Sequence, residues 1–123
     1  MYKAKENVVV RKTEAFTDRI IKMYGFILKE RTHNKTSLRQ IYKSGTSIGA
    51  NIAESQYAQS KADFFTKLSI ALKEANETRY WLGVLKCEET ITENEYDSML
   101  TDIEEIIKLL TSITASVKKI LQN

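Results

Sequence analysis

The chain has no proline and only four glycines among its 123 residues. Proline costs roughly 3 kcal/mol inside a helix, so its absence removes the strongest helix breaker and points to long, uninterrupted helices. Cysteine and histidine are nearly missing as well, represented by Cys87 and His33 alone. A lone cysteine excludes an internal disulfide, and one Cys with one His fall short of the ligand set a zinc ion needs. No apolar run approaches the roughly 20 residues that span a bilayer. The valine triplet of "NVVV" is too short for a signal-peptide core. The expectation is a cytoplasmic protein without cofactor or metal.

What is present fits one ordinary globular domain, expected over residues 1–123. Hydrophobic residues make up 42% and charged residues 28%, enough of each for a core and a solvated surface. The net charge of +3 is mild, but it is unevenly spread. Residues 1–57 carry eleven Lys/Arg against five Asp/Glu, whereas residues 58–123 carry eight against eleven. Such asymmetry suits an acidic partner, nucleic acid included, or complementary faces within an assembly.

Residues 1–12 show no helical period and read as an N-terminal arm. From Thr13, a plausible N-cap, apolar residues recur at helical spacing through Phe16, Ile20, Met23, Tyr24, Ile27 and Leu28. The polar "RTHNKT" marks a turn. A second stripe runs Leu38, Ile41, Tyr42, Gly45, Ile48, Gly49, Ile52, Ala53. "SKAD" and "TENE" are capping boxes, in which a hydroxyl and an acidic side chain three residues on satisfy the free N–H groups of a helix start. They open a third stripe, Phe64 to Leu85, and a fourth, Tyr96 to Leu121. Four amphipathic helices with short polar connections predict an all-α fold, an antiparallel up-down-up-down four-helix bundle.

The stretch "SGTSIGANIAES" (residues 44–55) concentrates small residues. It is not a phosphate loop, because Gly45 and Gly49 lack the spacing and the lysine that such a loop requires. It lies in phase with the second helix. Gly45, Gly49 and Ala53 recur every four residues, a row that lets another helix backbone come close and offset the propensity cost of glycine, about 1 kcal/mol each. Asn51 and Glu54 lie beside that row, with Glu54 expected to tie to a cation on another helix.

Together "SIGANIAES" and "SKADFFTKLSIALKEANETRYWLGVLK" resemble the 23S rRNA-intervening-sequence protein family, also described as S23 ribosomal proteins. The resemblance rests on Ser47, Ile48, Asn51, Ile52, Ala53 and Glu54, then on Ser60, Asp63, Phe64, Leu68, Ala71 and Glu77, and spans about residues 14 to 120. Gly49 stands where the family often has proline. Ser55 stands where it often has glycine, which lets the helix run on to Tyr57. The resemblance implies a bacterial four-helix bundle that assembles into a ring, commonly a homopentamer, with no established catalytic activity.

Three classes of function remain open at this level. An oligomeric scaffold or interaction module is the leading one. Adjacent aromatics, Phe64 with Phe65 and Tyr80 with Trp81, lie about 100° apart on a helix and cannot all face one seam. Phe65, Tyr80 and Trp81 are therefore candidates for a subunit interface. A nucleic-acid binder is the alternative, RNA or DNA, through Arg19, Lys22 and Lys29 on the first helix and Arg39 and Lys43 on the second, a patch that a ring would repeat. An enzyme is disfavoured. His33 sits in a polar turn without a fixed acid, Cys87 is followed by Glu88 and Glu89, and no Glu-x-x-His pair of a bundle metal site occurs.

Overall fold

The computed structural model describes residues 2–123, with side chains described from Val8 onward. It is all-α, with helices α1 (Tyr2–Glu30), α2 (Lys35–Ser55), α3 (Lys61–Cys87) and α4 (Glu93–Gln122). Each helix packs on its chain neighbours, and α4 closes on α1, making a four-helix bundle.

The N-terminal arm expected over residues 1–12 is corrected: α1 begins at Tyr2, and Met1 lies outside the described residues. Val9 is buried in the core. The "VVV" run masks the helical period because its three neighbours, though similar, point different ways. Thr13 is likewise no cap. Its buried hydroxyl donates to the Val9 carbonyl oxygen at 2.8 Å, one turn back in the same helix.

The remaining helix starts are set by local chemistry. Asn34 accepts from the Thr36 and Ser37 N–H groups at 2.9 and 3.1 Å and caps α2. Ser60 accepts from Asp63 N–H at 3.0 Å, while the Asp63 carboxylate reaches the Gln59 N–H at 3.1 Å, one residue beyond the reciprocal partner. Thr92 and Glu95 close a full capping box at 3.1 and 2.8 Å. The α2 helix ends at Ser55 rather than Tyr57. At the other end of α3, Glu89 adopts a left-handed φ of 59°. There, the Glu89 N–H reaches the Lys86 carbonyl at 3.0 Å and the Thr90 N–H reaches that of Leu85 at 2.9 Å. This is a Schellman ending that normally uses glycine.

The core is one cluster drawn from all four helices, including Phe16, Ile20 and Ile27, Ile41, Ile48 and Ile52, Leu68, Leu82 and Leu85, and Ile103, Ile106 and Leu110. Buried hydroxyls also sit among these helices, one pair of them linking α2 to α3. Thr78 and Ser44 hydrogen-bond across α3 and α2 at 3.0 Å, and Thr78 donates to the Glu74 carbonyl oxygen at 2.8 Å. No buried side-chain polar atom among the described residues lacks a partner, as low-dielectric surroundings require.

Cross-helix pairs run in opposite numerical order. Between α1, with the residue that follows it, and α4 they are Arg31–Glu95, Arg19–Asp102 and Lys12–Glu105. Between α2 and α3, with the C-cap of α3, they are Ser37–Glu88, Ser44–Thr78 and Glu54–Lys67.

Candidate functional site

The small-residue stretch lies on α2 where it meets α1. A Cβ placed on Gly45 would sit 2.8 Å from both Cδ1 and Cγ1 of Ile20, and one on Gly49 would sit 2.5 Å from the Thr17 hydroxyl and 3.5 Å from the Thr13 carbonyl oxygen. Neither position has room for a side chain. The row then turns away: Gly45 is buried, Gly49 half-buried and Ala53 exposed. Four residues advance a helix by about 400°, so a four-residue row drifts about 40° per step and leaves the contact by Ala53.

The polar residues of the stretch bond to their own helix. Ser47 donates to the Lys43 carbonyl oxygen at 2.6 Å, and Asn51 donates through Nδ2 to the Ser47 carbonyl oxygen at 2.8 Å. Ile52 is buried. Glu54 pairs with Lys67 of α3 at 2.9 Å, so its cation comes from the next helix. Phe64 packs partly against the core.

The cations singled out in the sequence fall into two groups. Arg19 is committed to Asp102 at 2.5 Å and to the Ser98 hydroxyl at 2.9 Å, and Lys22 pairs with Asp18 at 2.8 Å. Lys29, Arg39 and Lys43 are exposed and make no ion pair among the described residues. Arg39 lines a small cavity of about 150 Å³ between α1 and α2, with Tyr24, Leu28, His33, Lys35 and Leu38. Tyr24 and Tyr42 pack beside it, their ring centroids 4.4 Å apart at a 46° tilt.

A larger cavity of about 480 Å³ opens between α1 and α4, over Met23, Phe26, Ile27, Ile91 and Met99. At its edge Arg31 forms a two-pronged pair with Glu95, 2.7 and 3.0 Å, and donates to the Thr90 carbonyl oxygen at 3.0 Å. The guanidinium, with the Thr92 backbone N–H second, holds the Glu95 carboxyl down to about 2. Sequence reading missed this clamp, because Arg31 sits in a polar turn and its partner lies 64 residues on. Only the capping role of Glu95 was visible.

On α1, Leu28 is 53% exposed, Phe26 51% and Ile21 48%, and further exposed apolar residues include Tyr57 before α3 and Ile120 and Leu121 at the end of α4. On α3, Tyr80 is 64% exposed, while Trp81 and Phe65 are half-buried against the core. Tyr80 and Trp81 meet edge to face at 5.1 Å. Glu77, one of the residues that carry the family resemblance, makes no ion pair among the described residues. It faces Glu74, whose carboxyl is pushed above its ordinary value by burial first and by Glu77 second. No trio of His, Cys, Asp and Glu among the described residues is placed to hold a metal ion. No helix among them is long and apolar enough to cross a membrane.

Residues 5–112 match the family described as 23S rRNA-intervening sequence protein. No curated protein matches the chain. Among solved structures, a Bacteroides thetaiotaomicron VPI-5482 protein of unknown function from the S23 ribosomal protein family is 50% identical, with a TM-score of 0.85 over 90% of this chain and 98% of that one.

Proposed function

The chain belongs to the 23S rRNA-intervening sequence protein family, and on that premise we propose a non-catalytic interaction module, an antiparallel up-down-up-down bundle that assembles with copies of itself in the cytoplasm. The opposed order of residue pairs between α1 and α4 and between α2 and α3 supports the antiparallel alternation. The observation that carries self-assembly is the outward apolar stripe of α1. Ile21 and Leu28 stand seven residues apart on one face, with the exposed Gly25 between them. Water-facing Ile and Leu at helical spacing cost free energy until something covers them. Gly25 would let a neighbouring backbone approach. Tyr80, with Trp81 edge to face against it, supplies a second apolar surface on α3, and Phe65 lies about four turns earlier on the same helix. Two different surfaces on one subunit suit a head-to-tail contact that closes into a ring, five-membered in the form the family resemblance implies.

The test is sedimentation velocity on the protein and its Leu28→Glu variant. The proposal expects a closed oligomer for the first and a smaller species for the second. Equal sedimentation coefficients would remove the α1 stripe from the interface.

A second reading is favoured by one observation: Lys29 and Arg39 make no ion pair among the described residues, unlike Arg19 and Lys22, and Lys43 feels only the more distant Glu74 carboxylate. Cations on the last turn of α1 and along the first half of α2, repeated by an oligomer, would attract nucleic acid. Filter binding at low and moderate salt tests it, with affinity expected to fall steeply as salt rises.

A further inference from the structure

We propose that the Tyr24–Tyr42 pair and the cationic row beside it form a stacking site for single-stranded nucleic acid, an inference that rests on the second reading above and gives it an address. The aromatic element comes first. The two rings lie 4.4 Å apart at a tilt of 46°. Tyr24 is half-buried, and Tyr42 rides on it at the surface, 36% exposed. Tyr24 therefore braces Tyr42 and leaves part of the outer ring in water. An exposed ring that is already immobilised loses little freedom when a base stacks on it.

The charges follow the same face. Lys35, Arg39 and Lys43 recur every four residues along α2, about 6 Å apart along the axis, with Glu74 of α3 offsetting Lys43 at the far end of the row. A phosphodiester chain can follow such a row. The first turn of α2 contains no acidic residue, so the positive end of the helix dipole adds to the same potential. The adjoining cavity, about 150 Å³, is lined by Tyr24, Leu28, His33, Lys35, Leu38 and Arg39, with no carboxylate. Its counterparts on α4 each include one or more: Glu95 in one, Asp102 and Glu105 in another, Glu104 and Glu105 in a third. A volume of 150 Å³ is below the roughly 300 Å³ at which small-molecule pockets begin. That argues against an enclosed metabolite and for a strand lying across an open face. Stacking on Tyr42 needs an unpaired base, which a duplex does not offer.

The experiment is fluorescence anisotropy with a short, labelled, single-stranded RNA of mixed sequence, and with the same RNA annealed into a duplex. The wild-type protein is expected to bind the single strand more tightly. Tyr42→Ala should weaken it about tenfold, in line with one lost base stack, and Tyr42→Phe should restore it. Lys35→Gln with Arg39→Gln should flatten the dependence of log affinity on log salt by about 1.4, roughly 0.7 per lost phosphate contact. Lys108→Gln with Lys118→Gln, exposed on α4, should change little. Circular dichroism establishes that each variant is folded.

If Tyr42→Ala binds like wild type while the Lys35/Arg39 variant does not, the stacking site is refuted and the cationic reading survives. If wild-type protein shows no salt-sensitive binding, both fall. If Tyr42→Ala changes the number of subunits instead, the face is an interface between copies, and the stacking site is again refuted.

Discussion

Replacing Gly45 with alanine should destabilise the protein, against the usual preference of helices for alanine. Alanine is better than glycine by about 1 kcal/mol in a helix interior. At Gly45, however, the new Cβ would sit 2.8 Å from two carbons of Ile20 and 3.1 Å from a third. Ile20 cannot easily yield. It is fully buried, and as a β-branched residue in a helix it is held near one χ1 rotamer. Overpacking of this kind costs roughly 1–3 kcal/mol. With the upper half of that range set against the propensity gain, the net loss is about 1–2 kcal/mol. For a chain of 123 residues each kcal/mol moves the Tm by about 4 °C, so a fall of about 4–8 °C is expected in differential scanning calorimetry. Gly83→Ala is the matched control. Its Cβ would meet nothing within 4 Å, so the Tm should rise by about 4 °C. The double variant Ile20→Val with Gly45→Ala should lose less than the sum of its single changes, because the shorter side chain makes room for the methyl group. A Gly45→Ala variant that melts above wild type, as Gly83→Ala should, would refute the close α1–α2 contact.

Five further outcomes are expected. Gly49→Leu should destabilise by more than Gly45→Ala, since the whole side chain must displace Thr17 and approach the Thr13 carbonyl; unchanged chemical denaturation would exclude that. Glu89→Gly should stabilise by about 1 kcal/mol by relieving the left-handed strain at that position, read from the urea midpoint. Glu95→Gln should cost about 1 kcal/mol at neutral pH, because the side chain is 42% exposed and solvent screening reduces a pair that would be worth more if buried. The Glu95 carboxyl is depressed from 4.5 to about 2 in the folded state, so its contribution is complete above the unfolded value and lost as pH falls through that interval. The gap between wild type and Glu95→Gln should close over the same range, and a gap that is constant down to pH 2 would contradict the clamp. Tyr80→Ala should weaken assembly while leaving the melting of the subunit nearly intact, since the ring is 64% exposed. Trp81→Ala, half-buried on the core, should also reduce subunit stability.

The helices were legible wherever apolar spacing and capping residues agreed. Ser60 with Asp63 and Thr92 with Glu95 marked the starts of α3 and α4 to the residue. The start of α1 was not legible, because "NVVV" has neither a polar gap nor a cap to show phase. Burial of Val9 is a tertiary fact. Small-residue packing could be suspected from Gly45 and Gly49, but the partner, Ile20 and Thr17 of α1, could not be read from α2. The fate of the cations was hidden for the same reason. Arg19 and Arg39 look alike in sequence, yet only Arg19 comes to face a carboxylate, that of Asp102, 83 residues on. The Arg31–Glu95 clamp likewise joins two segments that carry no local sign of each other.

Self-assembly of the subunit is tested most directly by native mass spectrometry of the wild-type protein, purified at low salt. A closed oligomer with five copies of the 14.2 kDa chain is the result expected of a head-to-tail ring built on Ile21, Leu28 and Tyr80. A 14.2 kDa monomer at tens of micromolar would contradict it and leave the α1 stripe uncovered.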